Sequence, residues 1–295
     1  MSVREPAAPP VEQLEIFRAL SGDLAPRDAQ DLMSFPFFAL GKTRRTVPIH
    51  FNAGDVVIHV EGTAEHGIAT IWDADVLIWA ASQIVEARDA GLPTSRRMVM
   101  TPYEILTFID RGTSARDYVR LRAALDRLQS TTIATSIRQP TSRRLHRFSW
   151  VNEWHECVGE EGKSLGMELI LPDWFYAGVL ENTLVLTIDR AYFGLAGGIE
   201  RWLYRLVRKH AGRQPAGWRF DFRHLYLKSG SLKPFASFAF ELRDIVRRQA
   251  LPGYHLTVEH APSGEETLAF RPATRPSVST LIRDLTRSLR VGDKL

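Results

Sequence analysis

Cysteine is almost missing from this chain: Cys157 is the only one in 295 residues. No internal disulfide can form, so the fold must rest on its own core, and the usage fits a reducing compartment. No apolar run approaches the roughly 18 residues that cross a bilayer. The first thirty residues show no basic start followed by an apolar stretch, so no secretory signal is expected. Together these absences predict a soluble, cytoplasmic protein. Phosphate-loop chemistry is missing too. Ser229-Gly230-Ser231-Leu232-Lys233-Pro234 lacks the G-x-x-x-x-G-K-[ST] pattern, which argues against an ATPase. His155-Glu156-Cys157 offers too few ligands for a closed metal site. No catalytic residue, cofactor or metal is expected.

What is present is ordinary globular composition with an unusual charge pattern. Hydrophobic residues make up 44% and charged residues 24%, enough for real cores, and the length predicts two domains. The net charge is only +4, but it alternates along the chain. Residues 1–95 are net −6, residues 96–148 net +7, residues 149–200 net −7 and residues 201–250 net +9. Arginine outnumbers lysine in both basic blocks, and its planar fork suits phosphates and guanine edges. A repeated basic block is the footprint expected for a polyanion partner. The bland alternative is two solvated helical faces.

The hydropathy pattern repeats along with the charge. A Pro/Ala-rich tail over 1–12 is expected to be disordered, and a short helix is expected within 13–33. Val47, Ile49 and Phe51 alternate, as do Val56, Ile58 and Val60, around Asn52-Ala53-Gly54-Asp55, which predicts a hairpin. Helices are expected over 75–90, from Pro102 behind a Thr101 cap, and over 114–129 behind a Ser114 cap. A hairpin over 131–151 follows and reads as a wing. The same order recurs: strands over 166–171 and 183–188 flanking a short helix, then helices over 198–210, 220–228 and 234–249, then a hairpin over 254–270. The expected fold class is α+β, with two tandem winged-helix domains, each a helix-turn-helix with a β-wing. Their spans are 32–160 and 161–274. Residues 1–31 form an N-terminal tail with a short helix, and 275–295 a basic C-terminal tail.

The candidate DNA contacts follow from this placement. On the helix after Ser114, Arg116, Arg120 and Arg127 fall within 40° of one another, opposite Tyr118, Leu121, Leu125 and Leu128. Arg143, Arg144 and Arg147 sit on the hairpin, where a wing would meet phosphates or a minor groove. In the second unit Lys228, Ser229 and Ser231 precede the long helix, which offers Lys233, Ser237, Arg243 and Arg247; hydroxyls and N–H groups at a helix start are good phosphate ligands. Phe240 points away from the apolar row and is expected to pack against a neighbouring element rather than a thymine methyl. Asp244 is expected to pair with Arg247 or Arg248.

These residues also carry a family resemblance. Leu186 to Phe193, Gly197 to His210, Leu225-Tyr226-Leu227-Lys228-Ser229-Gly230-Ser231, Phe238 to Arg243 and Leu251-Pro252-Gly253-Tyr254 resemble the plasmid replication initiator protein A family. Trp72-Asp73-Ala74-Asp75 and Thr101-Pro102-Tyr103-Glu104-Ile105 are similar as well. The resemblance runs from about residue 32 to 272. It implies a non-enzymatic protein that binds repeats in double-stranded origin DNA, helps to melt it, and recruits the host initiator and replicative helicase. It also implies repression of its own promoter, as a homodimer. Two alternatives stay open. One is a tandem winged-helix transcriptional regulator, whose DNA chemistry is shared. The other is a rolling-circle nicking enzyme, disfavoured because no His-x-His pair is present.

Overall fold

The computed structural model describes residues 15–141, 143–158, 164–212, 214–262 and 264–273. The Pro/Ala tail, the basic C-terminal tail, Ser142 and Ser263 lie outside the described residues.

The first elements are short. β1 (Ile16–Arg18), β2 (Arg27–Ala29) and α1 (Gln30–Ser34) stand where one helix was expected. Gly22 and Pro26 interrupt that stretch, and the two strands are drawn into sheets by distant partners. β3 (Ile49–Ala53) and β4 (Val56–Glu61) form the expected hairpin. α2 (Ala74–Asp89) follows and is buried almost all round, as befits a helix enclosed by other elements. Then come β5 (Arg97–Met100), α3 (Pro102–Phe108) and α4 (Ala115–Ser130). Thr101 and Glu104 close a capping box at α3, and Ser114 and Asp117 close one at α4. β6 (Thr132–Thr135), β7 (His146–Ser149), β8 (Glu153–Val158) and β9 (Ser164–Ile170) complete the first half.

The second half holds α5 (Asp173–Leu180), a 3₁₀ turn over 182–184, β10 (Val185–Thr187) and a second 3₁₀ turn over 190–194. α6 (Gly198–Ala211), β11 (Trp218–Asp221), α7 (Phe222–Ser229), α8 (Phe235–Arg248), β12 (Tyr254–His260) and β13 (Glu266–Pro272) follow. Among the described residues no helix is long and apolar enough to cross a membrane.

The pairing explains the repeat better than the element order alone. In the second half β11, β13 and β12 form one sheet in that order. In the first half β5, β9 and β8 take the same order, with β1 added in parallel beside β5. With β6 and β7 set aside as an insertion, both halves run helix, strand, helix, helix, strand, strand, with the last strand inside the sheet. This is a winged-helix-like order, and it corrects the assignment of the first wing. The expected wing, β6–β7, pairs instead with β4 in a separate sheet ordered β3-β4-β6-β7. The strand that plays the wing, β8, escaped the sequence reading because Glu153-Trp154-His155-Glu156-Cys157-Val158 has no clean apolar alternation. The expected boundary at 160/161 lies outside the described residues.

One hydrophobic cluster runs through both halves. Phe38 stacks on Trp150 at 5.0 Å, and Phe148 stacks on Trp174 at 4.8 Å. The second contact ties the β3-β4-β6-β7 sheet to α5. The halves are also joined by buried charge. Arg201 of α6 and Asp75 of α2 are both fully buried, and Arg201 Nη1 lies 2.8 Å and 2.9 Å from the two Asp75 oxygens. Arg205 grips Asp28 as a fork, Nε to Oδ2 at 2.6 Å and Nη2 to Oδ1 at 2.8 Å. Burial pushes the Asp75 carboxyl up to about 6, against the pull of Arg201 and Arg111.

His210, at the end of α6, gives a test of packing. Its ring meets Phe220 edge-on at 5.0 Å. Burial, helped by Lys209 and Lys228, lowers its pKa to about 4 from 6.5. The native state therefore binds fewer protons than the unfolded chain between those values, so the stability from neutral His210 is present above pH 6.5 and is lost toward pH 4. His210→Gln is expected to flatten this part of the pH–stability curve. Urea melts at pH 4.5 and 7 check it; an equal pH response in both proteins refutes it.

Candidate nucleic-acid interface

Each half presents a helix-turn-helix with one exposed helical face. In the first, Leu121, Leu125 and Leu128 are buried and turn the opposite side of α4 to solvent. Arg116 and Arg120 lie on that solvent side, as expected. Arg120 is 62% exposed and touches Asp117 one turn back, at 3.3 Å. Arg116 has no ion-pair partner among the described residues. Val119 lies beside them and is 61% exposed.

Arg127 does not join them, which corrects the expectation. Its fork closes on Asp73, with both N–O distances 2.7 Å. Asp73 is itself buried and also accepts from Thr70. The half-buried guanidinium is therefore taken up by a buried carboxylate, bracing α4 against the start of α2.

Arg143 and Arg144 are exposed in the β6–β7 turn, and Arg147 is exposed on β7. They stand on the inserted sheet, not on the β8–β9 wing. Arg147 pairs in register with Ala134, Ala134 with His59, and His59 with His50. The β8–β9 hairpin itself is acidic: residues 153–170 hold five glutamates and one lysine.

In the second half α7 ends at Gly230, which adopts φ +60° as a left-handed cap. A side chain there would also press on Pro36 and Ile49. Lys228, Ser229 and Ser231 before α8 are largely absorbed by this tight packing. Ser229 is fully buried; its hydroxyl donates to the Tyr226 carbonyl and accepts from the Ser231 N–H. Lys228 lies over the Phe35 ring at 4.8 Å and donates to the Ser34 carbonyl. Burial and Lys209 lower its pKa. Ser231 is half-buried and accepts from the Lys233 N–H. A single sequence cannot show this packing, because its partners lie almost 200 residues away.

Along α8, Phe238, Leu242 and Ile245 are buried as expected. Ser237 is exposed. Arg247 is 77% exposed and pairs with Asp244, as does Arg248. Lys233 pairs with Glu241. Arg243 is held by Glu266 of β13, with both N–O distances 2.7 Å, so it braces the second wing. Phe240 corrects the packing expectation: it is 70% exposed and meets no other ring among the described residues. An exposed phenyl on the outer face of α8 has the chemistry to meet an apolar group such as a thymine methyl.

The loop over residues 41–45, Gly41-Lys42-Thr43-Arg44-Arg45, was missed by the sequence reading. It holds three cations and no acid, inside a block whose net charge is −6. Averaging over the block hid it. The loop lies between the two helix-turn-helix units and lines clefts against each. Among the described residues no group of three or more His, Cys, Asp or Glu side chains is arranged to hold a metal ion.

Residues 27–256 match the model of the family described as replication initiator protein A. The chain belongs to the replication initiator protein A family. A relative from Wigglesworthia glossinidia brevipalpis, described as "Putative replication protein", is 34% identical over 230 residues, covering 76% of this chain and 82% of the relative. The fold is similar to a crystal structure of domains 2 and 3 of RctB, with a TM-score of 0.61 at 16% identity, covering 83% of this chain and 99% of that one. A second crystal structure of RctB domains 2–3 gives 0.54 at 17% identity, covering 80% and 95%. The family span takes in Asp28, Asp75, Arg201 and Arg205, the two buried ion pairs. In this member of the replication initiator protein A family, the motif Gly197 to His210 thus serves the join between halves through Arg201 and Arg205.

Proposed function

We propose that this protein is a plasmid replication initiator that binds repeated double-stranded DNA sites at an origin through two tandem winged-helix domains. It helps to open the origin and recruits the host initiator and replicative helicase, working in the bacterial cytoplasm without enzymatic chemistry. Membership in the replication initiator protein A family is the observation that carries this reading. Two exposed helix-turn-helix faces support it. The first offers Arg116 and Arg120 with Val119. The second offers Ser237 and Arg247 with Phe240. Each set combines fork donors or a hydroxyl with an apolar tip, the mixture that reads base edges in a major groove. Arg143, Arg144 and Arg147 supply sequence-independent contacts from the inserted hairpin.

The exposed pairs Arg120–Asp117 and Arg247–Asp244 are readily given up, because solvent-exposed ion pairs contribute little. Arg120→Ala and Arg247→Ala are each expected to weaken binding to the repeat by about 1–3 kcal/mol and to relax discrimination at one base position. Footprinting and titration on the protein's own origin region provide the test. Absence of protection over any repeated duplex site rejects the proposal. Unchanged affinity in both variants moves the reading heads elsewhere.

A further inference from the structure

The 41–45 loop is pinned at both ends. Before it, the Ala39 N–H donates to the Ala69 carbonyl at 2.9 Å, and the Ile71 N–H donates to the Ala39 carbonyl at 3.0 Å. After it, the Ile68 N–H donates to the Arg45 carbonyl at 2.7 Å. Leu40 is pressed against the start of α6, where a Cβ on Gly198 would lie 1.9 Å from the Leu40 carbonyl oxygen. The loop is therefore a fixed feature set between the halves.

Alternate residues turn to opposite sides. Thr43 and Arg45 line a cleft of about 320 Å³ that reaches Lys233 and Arg248 of the second unit. Arg45 acts as a brace there: its Nη1 donates to the Gly230 carbonyl at 2.6 Å, and its other nitrogens reach the Val47 and Pro48 carbonyls. Lys42 and Arg44 line a wider cleft of about 570 Å³ against α4, together with Arg111 and Arg120. The carboxylates of that cleft are Glu65, Asp73 and Asp117. Asp73 is taken up by Arg127, and Asp117 by Ser114 and Arg120. Glu65 is largely exposed beside His66. Lys42 and Arg44 have no carboxylate partner among the described residues. Lys42 rests 5.2 Å above the Trp72 ring, and Arg44 donates to the Glu65 carbonyl at 2.9 Å.

Two exposed cations lacking a carboxylate partner, on a pinned loop between two reading helices, call for an anion that spans both. We infer that Lys42 and Arg44 clamp the phosphate backbone of duplex DNA between the two sites read by α4 and α8. Arg45 sets the loop from the side of the second unit. The clamp carries no base information; it fixes the spacing and register of the two heads on the duplex. This inference rests on the DNA-binding reading above.

The test compares wild-type protein with Lys42→Ala/Arg44→Ala on a duplex origin repeat and on a scrambled duplex. Two lost phosphate contacts reduce the magnitude of the slope of log K against log salt by about 2. Affinity is expected to fall by a similar factor on both duplexes, leaving their ratio unchanged. Ethylation of phosphates between the two protected half-sites is expected to block the wild type, and the variant is expected to be insensitive to it. Both side chains are exposed, so a cooperative melt near the wild-type temperature is expected. Should the alanine variant lose it, Lys42→Gln/Arg44→Gln, which keeps the side-chain length, is read instead. A wild-type slope and interference pattern in a folded variant overturn the clamp while leaving the DNA-binding reading intact. Failure of the wild type to bind either duplex overturns both.

Discussion

Asp75→Ala is expected to destabilise the fold by about 3–5 kcal/mol, the usual cost of leaving one member of a buried ion pair alone. Arg201 is fully buried and has no route to solvent. Its Nη1 would lose both carboxylate oxygens, while Nη2 and Nε would still donate to the Phe193 and Leu195 carbonyls. Arg111 would lose its contact with Asp75 as well. The loss should appear as a lower urea midpoint with a similar slope. Adding Arg201→Met removes the stranded charge and should recover part of the stability, though not all, since the two carbonyls then lose their donors. A single Asp75→Ala variant as stable as wild type would show that the join between halves does not depend on this pair. The resemblance motifs Trp72 to Asp75 and Gly197 to His210 would then need another explanation.

Raising monovalent salt from 50 to 200 mM is expected to weaken binding to the origin repeat about 10³-fold. Six arginines on the proposed interface are exposed: Arg116, Arg120, Arg143, Arg144, Arg147 and Arg247. If each neutralises one phosphate, log K falls against log salt with a slope of about −5, and the fourfold rise in salt gives that factor. Lys42 and Arg44 would steepen it. The slope also separates the surface arginines from the spent ones. Arg127→Ala should leave it unchanged while lowering stability, because that guanidinium faces Asp73. A nearly flat plot for the wild type would mean that duplex phosphates are not the partner of these side chains.

Local signals were well preserved in the sequence. The Asn52–Asp55 turn, the capping boxes at Thr101 and Ser114, the apolar stripe of α8 and the final hairpin all depend on residues within a few positions of one another. Such interactions survive in any one-dimensional reading. β8 was missed because its identity as a strand depends on β9, not on its own alternation. β6–β7 was recognised as a hairpin, but its sheet was decided by β4, more than 70 residues earlier.

The charge pattern shows the same division most clearly. By itself the sequence determined the family, the α+β character, the repeated helical units and the presence of two arginine-rich blocks. Only the tertiary structure decided which arginines are exposed. The acidic stretch over 1–95 supplies Asp28, Asp31, Asp73 and Asp75, and these hold Arg205, Arg138, Arg127 and Arg201. Part of the alternation between acidic and basic blocks is therefore an internal pairing code, within the first half for Arg127 and Arg138 and between halves for Arg201 and Arg205, and part is an outward face. A net charge counts both alike. They differ in burial: a charge removed from water must meet its partner inside the fold, whereas an exposed arginine remains available to a ligand.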